Sequence, residues 1–316
     1  MSGLNLQQAV GEVAHRLVTA QTDAALTAYA ALLKGSDPEA LHDLRVALRR
    51  MRSMLRAYRG ELRLRKRIRR ELGDLASATN PARDAEVLLD LYSRLPLPKA
   101  ARSKAGVAWA GMRLRGEVST GARKAREALD ADLERLCRHV ERGLEVSAAG
   151  AQAAWHAVFA ERLDAAWAEL DAELQALQVE FSMSRAHRAR IEAKRLRYLL
   201  EPVRALLEPA KALVEESKQL QTLLGDLHDA QVLGEWLMGA AEAAGAHRGR
   251  AELALVLGRE ADDVAGEEAD AMPGLVYLGK MVRERERMLA DEVKRWLEGD
   301  GLPRLRVAVR GVREAL

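Results

Sequence analysis

Two segments of the chain carry the same sequence pattern, and the distance between them is constant along the match. Residues His42–Arg52 and His187–Arg197 share the pattern His-x-x-Arg-[Val/Ile]-x-x-[Arg/Lys]-Arg-x-Arg at an offset of 145 residues, and no gap is needed to align them. The same offset pairs Lys66 with Lys211. A repeat of this length predicts two copies of one structural unit. Two like units that pack face to face would be related by an approximate two-fold axis and would surround one shared cleft.

Helical periodicity runs through nearly the whole chain. Apolar residues recur every three or four positions, and no window between turn residues alternates strictly between apolar and polar side chains. Ala, Leu, Arg and Glu fill most of the sequence and aromatic residues make up only 4% of it, as is typical of long packed helices. The sequence therefore predicts an all-α fold.

Turn-forming residues indicate where the repeated helices begin and end. Residues 36–38, Ser-Asp-Pro, form the cap expected at a helix N-terminus, and the helix that they open is predicted to reach about Gly60. In the second copy, Ser182 or Ser184 caps a helix that is predicted to run to Pro202 or beyond.

Small residues thin the helical pattern near the middle of the chain. Glycine, alanine and serine are frequent between Gly143 and Gly150, and this stretch has the weakest periodicity. We therefore place the domain boundary here, with a first helical subdomain at 1–148 and a second at 149–316.

The repeated helix has a basic side and an apolar side. At an advance of about 100° per residue, the arginines of the first copy share one arc with His42 at its edge; they are Arg45, Arg49, Arg52, Arg56, Arg59 and Arg63. The opposite side is apolar and suited to a bundle core: Leu44, Leu48, Met51, Leu55, Tyr58 and Leu62. The second copy places His187, Arg190, Lys194, Arg197 and Arg204 opposite Ala189, Leu196, Leu200, Val203 and Leu207. Glu201 stands where the first copy has Arg56.

The basic side is too strongly charged for an ordinary solvated helix. The chain has a net charge of only +3, yet residues 42–70 contain twelve cations and two anions. A solvated helix normally mixes signs, because like charges one turn apart destabilise it. This distribution indicates an anionic partner. The alternative is that acidic residues at 262–270 neutralise the basic side within the protein.

Arginine is well suited to phosphate, because its planar fork donates two parallel hydrogen bonds and stays charged at physiological pH. A histidine at the edge of such a surface can donate to a phosphate oxygen, more strongly when protonated. We therefore expect His42 and His187 to bind phosphate and to do no chemistry.

Composition narrows the class of protein further. Cys137 is the single cysteine, which excludes an internal disulfide framework and fits a reducing compartment. The N-terminus lacks the features of a signal peptide, and no stretch approaches the length of an apolar membrane span. We expect a soluble, cytoplasmic protein that makes no membrane contact.

These motifs resemble those of the CHAD family, the conserved histidine α-helical domain. The second half also resembles the family at residues 194–198, Lys-Arg-Leu-Arg-Tyr, and 224–230, Leu-Gly-Asp-Leu-His-Asp-Ala. In the first half Arg83-Asp84 is present, but Asn80 stands where the family usually has glycine. The resemblance covers nearly the whole chain. It implies two pseudo-two-fold-related antiparallel helical bundles, of about four helices each, around a central basic cavity that binds inorganic polyphosphate.

The resemblance and the repeat together give a set of candidate ligands for polyphosphate. They are His42, Arg45, Arg49, Arg52, Arg56, Lys66, His187, Arg190, Lys194, Arg197, Lys211 and Lys218. The resemblance also implies an association with polyphosphate granules and their other proteins.

Other functions find less support in the sequence. The chain has no P-loop and no Gly-x-Ser-x-Gly motif, and residues 284–288, Glu-Arg-Glu-Arg-Met, lack the lysine of the catalytic CYTH domain that many CHAD proteins carry. We expect a stand-alone, non-catalytic domain without a cofactor. A metal site at His42, His187 and His228 would lie among arginines that repel a cation. Nucleic acid is the closest alternative ligand, although sequence recognition would call for aromatic residues. A protein-interaction scaffold is a third alternative.

Overall fold

The computed structural model describes residues 4–35, 39–146, 152–258 and 271–316. The described part contains ten α-helices, which we number in chain order: α1 Val10–Lys34, α2 Ala40–Ala57, α3 Lys66–Ala78, α4 Asn80–Ser93, α5 Ala101–Gly143, α6 Trp155–Val179, α7 Met183–Leu200, α8 Glu208–Val256, α9 Met272–Glu298 and α10 Gly301–Glu314. The prediction of an all-α fold is confirmed. Two short strands, β1 Leu62–Arg63 and β2 Glu145–Val146, pair antiparallel. The periodicity missed them because two residues are too few to show alternation.

The repeat is visible in the lengths of the helices. Helices α2 and α7 are each 18 residues long, and α1 and α6 are each 25 residues long and begin 145 positions apart. The N–H of Val10 donates to the carbonyl of Ala153 at 2.9 Å, and the N–H of Trp155 donates to the carbonyl of Gln8 at 2.9 Å. Since these donors and acceptors are also 145 positions apart, the repeat extends to helices that the sequence match did not include. The two bundles and their two-fold relation stay predictions.

The helix ends follow local chemistry. The Ser182 side chain accepts a hydrogen bond from the N–H of Arg185 at 3.3 Å, so Ser182 is the cap of α7. Helix α7 ends at Leu200, before Pro202, because proline has no N–H to donate and clashes with the preceding turn. Helix α2 ends at Ala57, slightly before the predicted Gly60. The cap predicted at residues 36–38 lies outside the described residues.

The apolar sides of α2 and α7 form part of the core. Helix α1 packs on α2, α6 packs on α7, and α2 contacts α7. All six apolar residues predicted for the first copy are buried: Leu44, Leu48, Met51, Leu55, Tyr58 and Leu62. In the second copy Ala189, Leu196, Leu200 and Val203 are buried, and Leu207 is half-buried. The predicted apolar sides of both helices are therefore confirmed.

The chain groups into two compact units. The first comprises Met1–Thr79, Ala125–Leu224 and Lys294–Leu316, and the second comprises Asn80–Lys124 and Gly225–Val293. Each unit draws on both halves of the chain. The division into 1–148 and 149–316 follows the repeat, which this grouping does not test, so that division stays a prediction.

The second unit has its own core, in which two glycines allow helices to approach closely. Its buried residues come from α4, α5, α8 and α9, with Trp109, Leu114, Leu237 and Leu278 among them. A Cβ added at Gly274 would overlap the backbone of Gly106 and Val107. Only glycine fits at this contact.

Replacing Gly274 by alanine should therefore destabilise the protein. Overpacking of this kind costs about 1–3 kcal/mol, which exceeds the gain of about 1 kcal/mol in helix propensity. Gly279→Ala is the matched control on α9, since a Cβ there meets nothing within 4 Å and should leave stability unchanged or raise it. Denaturant midpoints measure both effects. A Gly274→Ala protein as stable as the Gly279→Ala protein would contradict this packing.

Candidate functional site

The basic side of α2 faces solvent in the structure. Arg49, Arg52 and Arg56 are exposed on this helix, and Arg59 follows just after it. They are exposed because the opposite side of α2 is fixed in the core by its apolar residues. The core packing of α2 thus turns its arginines outward as a group.

These arginines line a groove of about 840 Å³ in the first compact unit. Residues of α2, α3, α6 and α7 and of the segment after α2 form its walls. We call it the arginine groove. Its charged lining is Arg49, Arg52, Arg56, Arg59, Arg69, Arg162 and Arg195, with Glu169 and Glu192. The groove therefore collects cations from both copies of the repeat.

Two of the seven arginines are neutralised by carboxylates. Arg162 lies 2.6 Å from the carboxylate of Glu61, and its guanidinium lies 4.6 Å from the centroid of the Tyr58 ring. Burial raises the pKa of Tyr58 to about 12, so the Tyr58 hydroxyl next to Arg162 stays uncharged at neutral pH. Arg195 forms an ion pair with Glu192 one turn earlier.

The other five arginines of the groove have no carboxylate partner among the described residues. They are Arg49, Arg52, Arg56, Arg59 and Arg69. A cluster of unpaired guanidiniums repels itself and creates a positive potential in the groove. An anion in the groove would accept hydrogen bonds from guanidinium N–H groups that have no carboxylate acceptor among the described residues.

One difference between the two copies gives the groove an arginine at a position where the other copy has a carboxylate. Arg50 of α2 lies 2.6 Å from Glu201, just after α7, and this ion pair joins the two copies. The positions equivalent to Arg50 and Glu201 are Arg195 and Arg56, both of which line the groove. The pair Arg50 and Glu201 thus combines a cation with an anion, whereas the equivalent pair, Arg195 and Arg56, consists of two cations.

Tyr198 of α7 is the one aromatic residue among the described residues that line the groove. It is only 6% exposed, so most of its ring is covered by the protein. The guanidiniums of Arg49 and Arg197 lie 5.2 and 5.1 Å from its ring centroid. These cation–π contacts hold the Arg49 side chain in place, and the two guanidiniums fill the space next to the Tyr198 ring.

Of the twelve predicted ligands, Arg49, Arg52 and Arg56 lie on this groove. His42, Lys66 and Lys218 are exposed elsewhere on α2, α3 and α8, and Lys211 is ion-paired with Glu208 at 2.5 Å. Arg45, His187, Arg190 and Lys194 are half-buried and interact within the protein, and Arg197 is half-buried beside Tyr198. That these nine residues contact the same polyphosphate ligand stays a prediction.

Four arginines of the groove are not among the twelve predicted ligands: Arg59, Arg69, Arg162 and Arg195. Arg59 and Arg69 belong to the run of cations at 42–70, and Arg195 is part of the repeated motif, so a signal for them existed. Arg162 had none, since Leu17 occupies its equivalent position and α6 showed no basic side.

The arginines near the C-terminus serve to attach α10. Arg304, Arg306 and Arg313 lie 3.1, 2.9 and 3.0 Å from Glu216, Asp171 and Asp164, respectively. These carboxylates belong to α8 and α6, so the pairs fasten α10 to neighbouring helices, each with a small contribution because it is exposed.

Within the described ranges, no three His, Cys, Asp or Glu side chains converge in a way that could hold a metal ion. None of the helices in those ranges has the length and hydropathy needed to span a membrane.

Comparisons with known proteins agree with the motifs described above. The family model of the CHAD domain matches residues 16–238. The crystal structure of the CHAD domain from the plant Ricinus communis has a TM-score of 0.64 and 21% identity, over 98% of this chain and 94% of that chain. PptA from Streptomyces chartreusis has a TM-score of 0.58 and 18% identity, over 90% of this chain and 98% of that chain. No curated protein matches. With a family model that covers most of its length, the chain belongs to the CHAD domain family.

Proposed function

We propose that the protein binds inorganic polyphosphate in the arginine groove and does not catalyse a reaction on it. The observation that carries the proposal is the group of five groove arginines that lack a carboxylate partner among the described residues. Membership of the CHAD domain family, which is known for polyphosphate-related proteins, supports it. A polyanion would relieve the repulsion among these arginines.

The chemistry of the groove suits a chain of phosphates. Each guanidinium can donate two parallel hydrogen bonds to two oxygens of one phosphate. Arginines of α2, of α3 and of the segment between them line the groove together. A chain of phosphates presents negative charge at every unit, so successive units can meet successive arginines.

Nucleic acid fits the same groove less well. Proteins that bind single strands stack bases on accessible aromatic rings. In this groove Tyr198 is nearly buried and already has two guanidiniums near its ring. A nucleic acid would be held through its phosphates alone and would leave its bases without a partner.

The proposal extends to where the protein acts. A non-catalytic polyphosphate-binding protein would work in the cytoplasm, with polyphosphate and the other proteins of polyphosphate granules as its partners. The proposed mechanism needs neither a cofactor nor a metal ion.

A competition titration tests the ligand. At fixed, physiological ionic strength, long-chain polyphosphate should displace single-stranded DNA and RNA with at least about tenfold higher affinity, or roughly 1.4 kcal/mol. Ionic strength must be held constant, because the affinity of any polyanion falls steeply with salt. Equal affinities, or tighter binding of the nucleic acids, would refute the proposal and favour the nucleic-acid alternative.

A further inference from the structure

A second basic pocket lies beside the arginine groove in the same compact unit. It has a volume of about 610 Å³ and is lined by residues of β1, α3, the end of α5 and β2. Its charged residues are Arg59, Arg63, Arg65, Arg69, Arg142 and Glu145, with His139. Arg59 and Arg69 also line the arginine groove, whereas Arg63, Arg65 and Arg142 do not. We call it the second pocket.

The charges in the second pocket are not balanced. Glu145 is its only carboxylate among the described lining residues, and it stands opposite Arg63 in the pairing of β1 with β2. The remaining arginines, Arg59, Arg65, Arg69 and Arg142, have no carboxylate partner among the described residues. Buried Leu62 and Leu64 form the apolar part of the pocket wall.

The start of α3 adds an independent reason for an anion at this place. Arg65 is the N-cap of this 13-residue helix and makes no side-chain capping bond, and the first turn contains no acidic residue. The first N–H groups of a helix lack partners within the helix, and its dipole favours negative charge at this end. Here the first turn instead begins with Lys66 and with Arg67, which is paired with Glu71 one turn later. This arrangement is unfavourable without an anion and favourable with a phosphate group.

Two residues connect the second pocket to the arginine groove. Arg59 and Arg69 line both cavities. Arg59 follows α2 and Arg69 lies in the first turns of α3, so the basic surface continues from one cavity into the other.

We propose that the second pocket binds a further stretch of the same polyphosphate chain that occupies the arginine groove, with Arg59 and Arg69 holding the stretch in between. This inference rests on the proposed function. It makes the protein selective for chain length, because a chain long enough to reach both cavities gains the second contact without a second loss of translational freedom. A short chain occupies one cavity at a time.

The variant Arg65→Ala/Arg142→Ala tests the inference. Both residues line only the second pocket and both are exposed, so the variant should fold. Long-chain polyphosphate should bind it about tenfold more weakly than the unaltered protein, whereas the affinity for tripolyphosphate should stay within about twofold. Arg287→Ala/Arg310→Ala is the matched control, since it removes the same charge at exposed positions that line neither cavity and belong to no described ion pair.

The outcomes separate this inference from the proposed function. Long-chain binding no weaker than in the control would overturn the second subsite, while the proposed function would stand if Arg52→Ala/Arg56→Ala still lost affinity. An equal loss of affinity for long-chain polyphosphate and for tripolyphosphate would also overturn the inference, because the second pocket would then not discriminate by chain length. Failure of the unaltered protein to bind polyphosphate at all would instead refute the proposed function.

Discussion

Replacement of Arg52 and Arg56 by alanine should weaken polyphosphate binding by about 100-fold. Both residues line the arginine groove, are exposed and have no carboxylate partner among the described residues, so their loss removes ligand contacts and breaks no described ion pair. A charge-assisted hydrogen bond contributes about 1.5–3 kcal/mol, and two of them at the lower end of this range correspond to about two powers of ten in Kd. Titration calorimetry at fixed ionic strength measures the change.

The salt dependence provides a second readout on the same variant. On the scale measured for nucleic acids, each lost phosphate contact flattens the slope of log K against log salt by about 0.7–0.9. The Arg287→Ala/Arg310→Ala control has the same net charge and should retain most of its affinity and slope. If the groove variant and the control show the same affinity and the same slope, general attraction to a basic surface would account for binding. The arginine groove would then not be the binding site.

Replacement of Trp155 by alanine should destabilise the protein by about 3–5 kcal/mol. Trp155 is fully buried at the start of α6, packs edge-to-face on Phe159 at 6.4 Å, and donates its indole N–H to the Tyr58 hydroxyl at 2.9 Å. The alanine would leave a large cavity and take away the hydrogen-bond donor of a buried phenol. Denaturant unfolding, with the midpoint and the slope both measured, gives the loss in free energy.

Trp155→Phe separates the two contributions. Phenylalanine keeps most of the apolar volume and removes only the N–H, so the loss should fall to about 1–3 kcal/mol, the cost of an unsatisfied buried hydroxyl. A Trp155→Ala protein as stable as the unaltered one would show that this position is not part of the core.

The helices of the repeat were predictable because their signals are local. The apolar side of α2 follows from the spacing of residues such as Leu44, Leu48 and Met51, and all three are buried. The cap at Ser182 follows from a bond to a backbone N–H three residues later. The strands β1 and β2 escaped prediction because they owe their pairing to residues more than 80 positions apart.

The candidate site was predictable only in part. The repeat identified Arg49, Arg52 and Arg56 as a basic surface, and the structure places them on one groove. It could not identify Arg162, which reaches the same groove from α6 through its contacts with Tyr58 and Glu61. Nor could the run of cations show that some arginines are already paired within the protein.

The sequence by itself determined that the chain is helical, that it contains a repeat, and that α2 is basic on one side and apolar on the other. These properties depend on spacing within a few turns of one helix. The tertiary structure alone decided which arginines remain available to a ligand. Arg50 is paired with Glu201 and Arg162 with Glu61, across more than 100 residues of sequence, whereas Arg52 and Arg56 meet no described carboxylate. The physical reason is that ion pairs depend on distances in space, which the packing of distant helices sets.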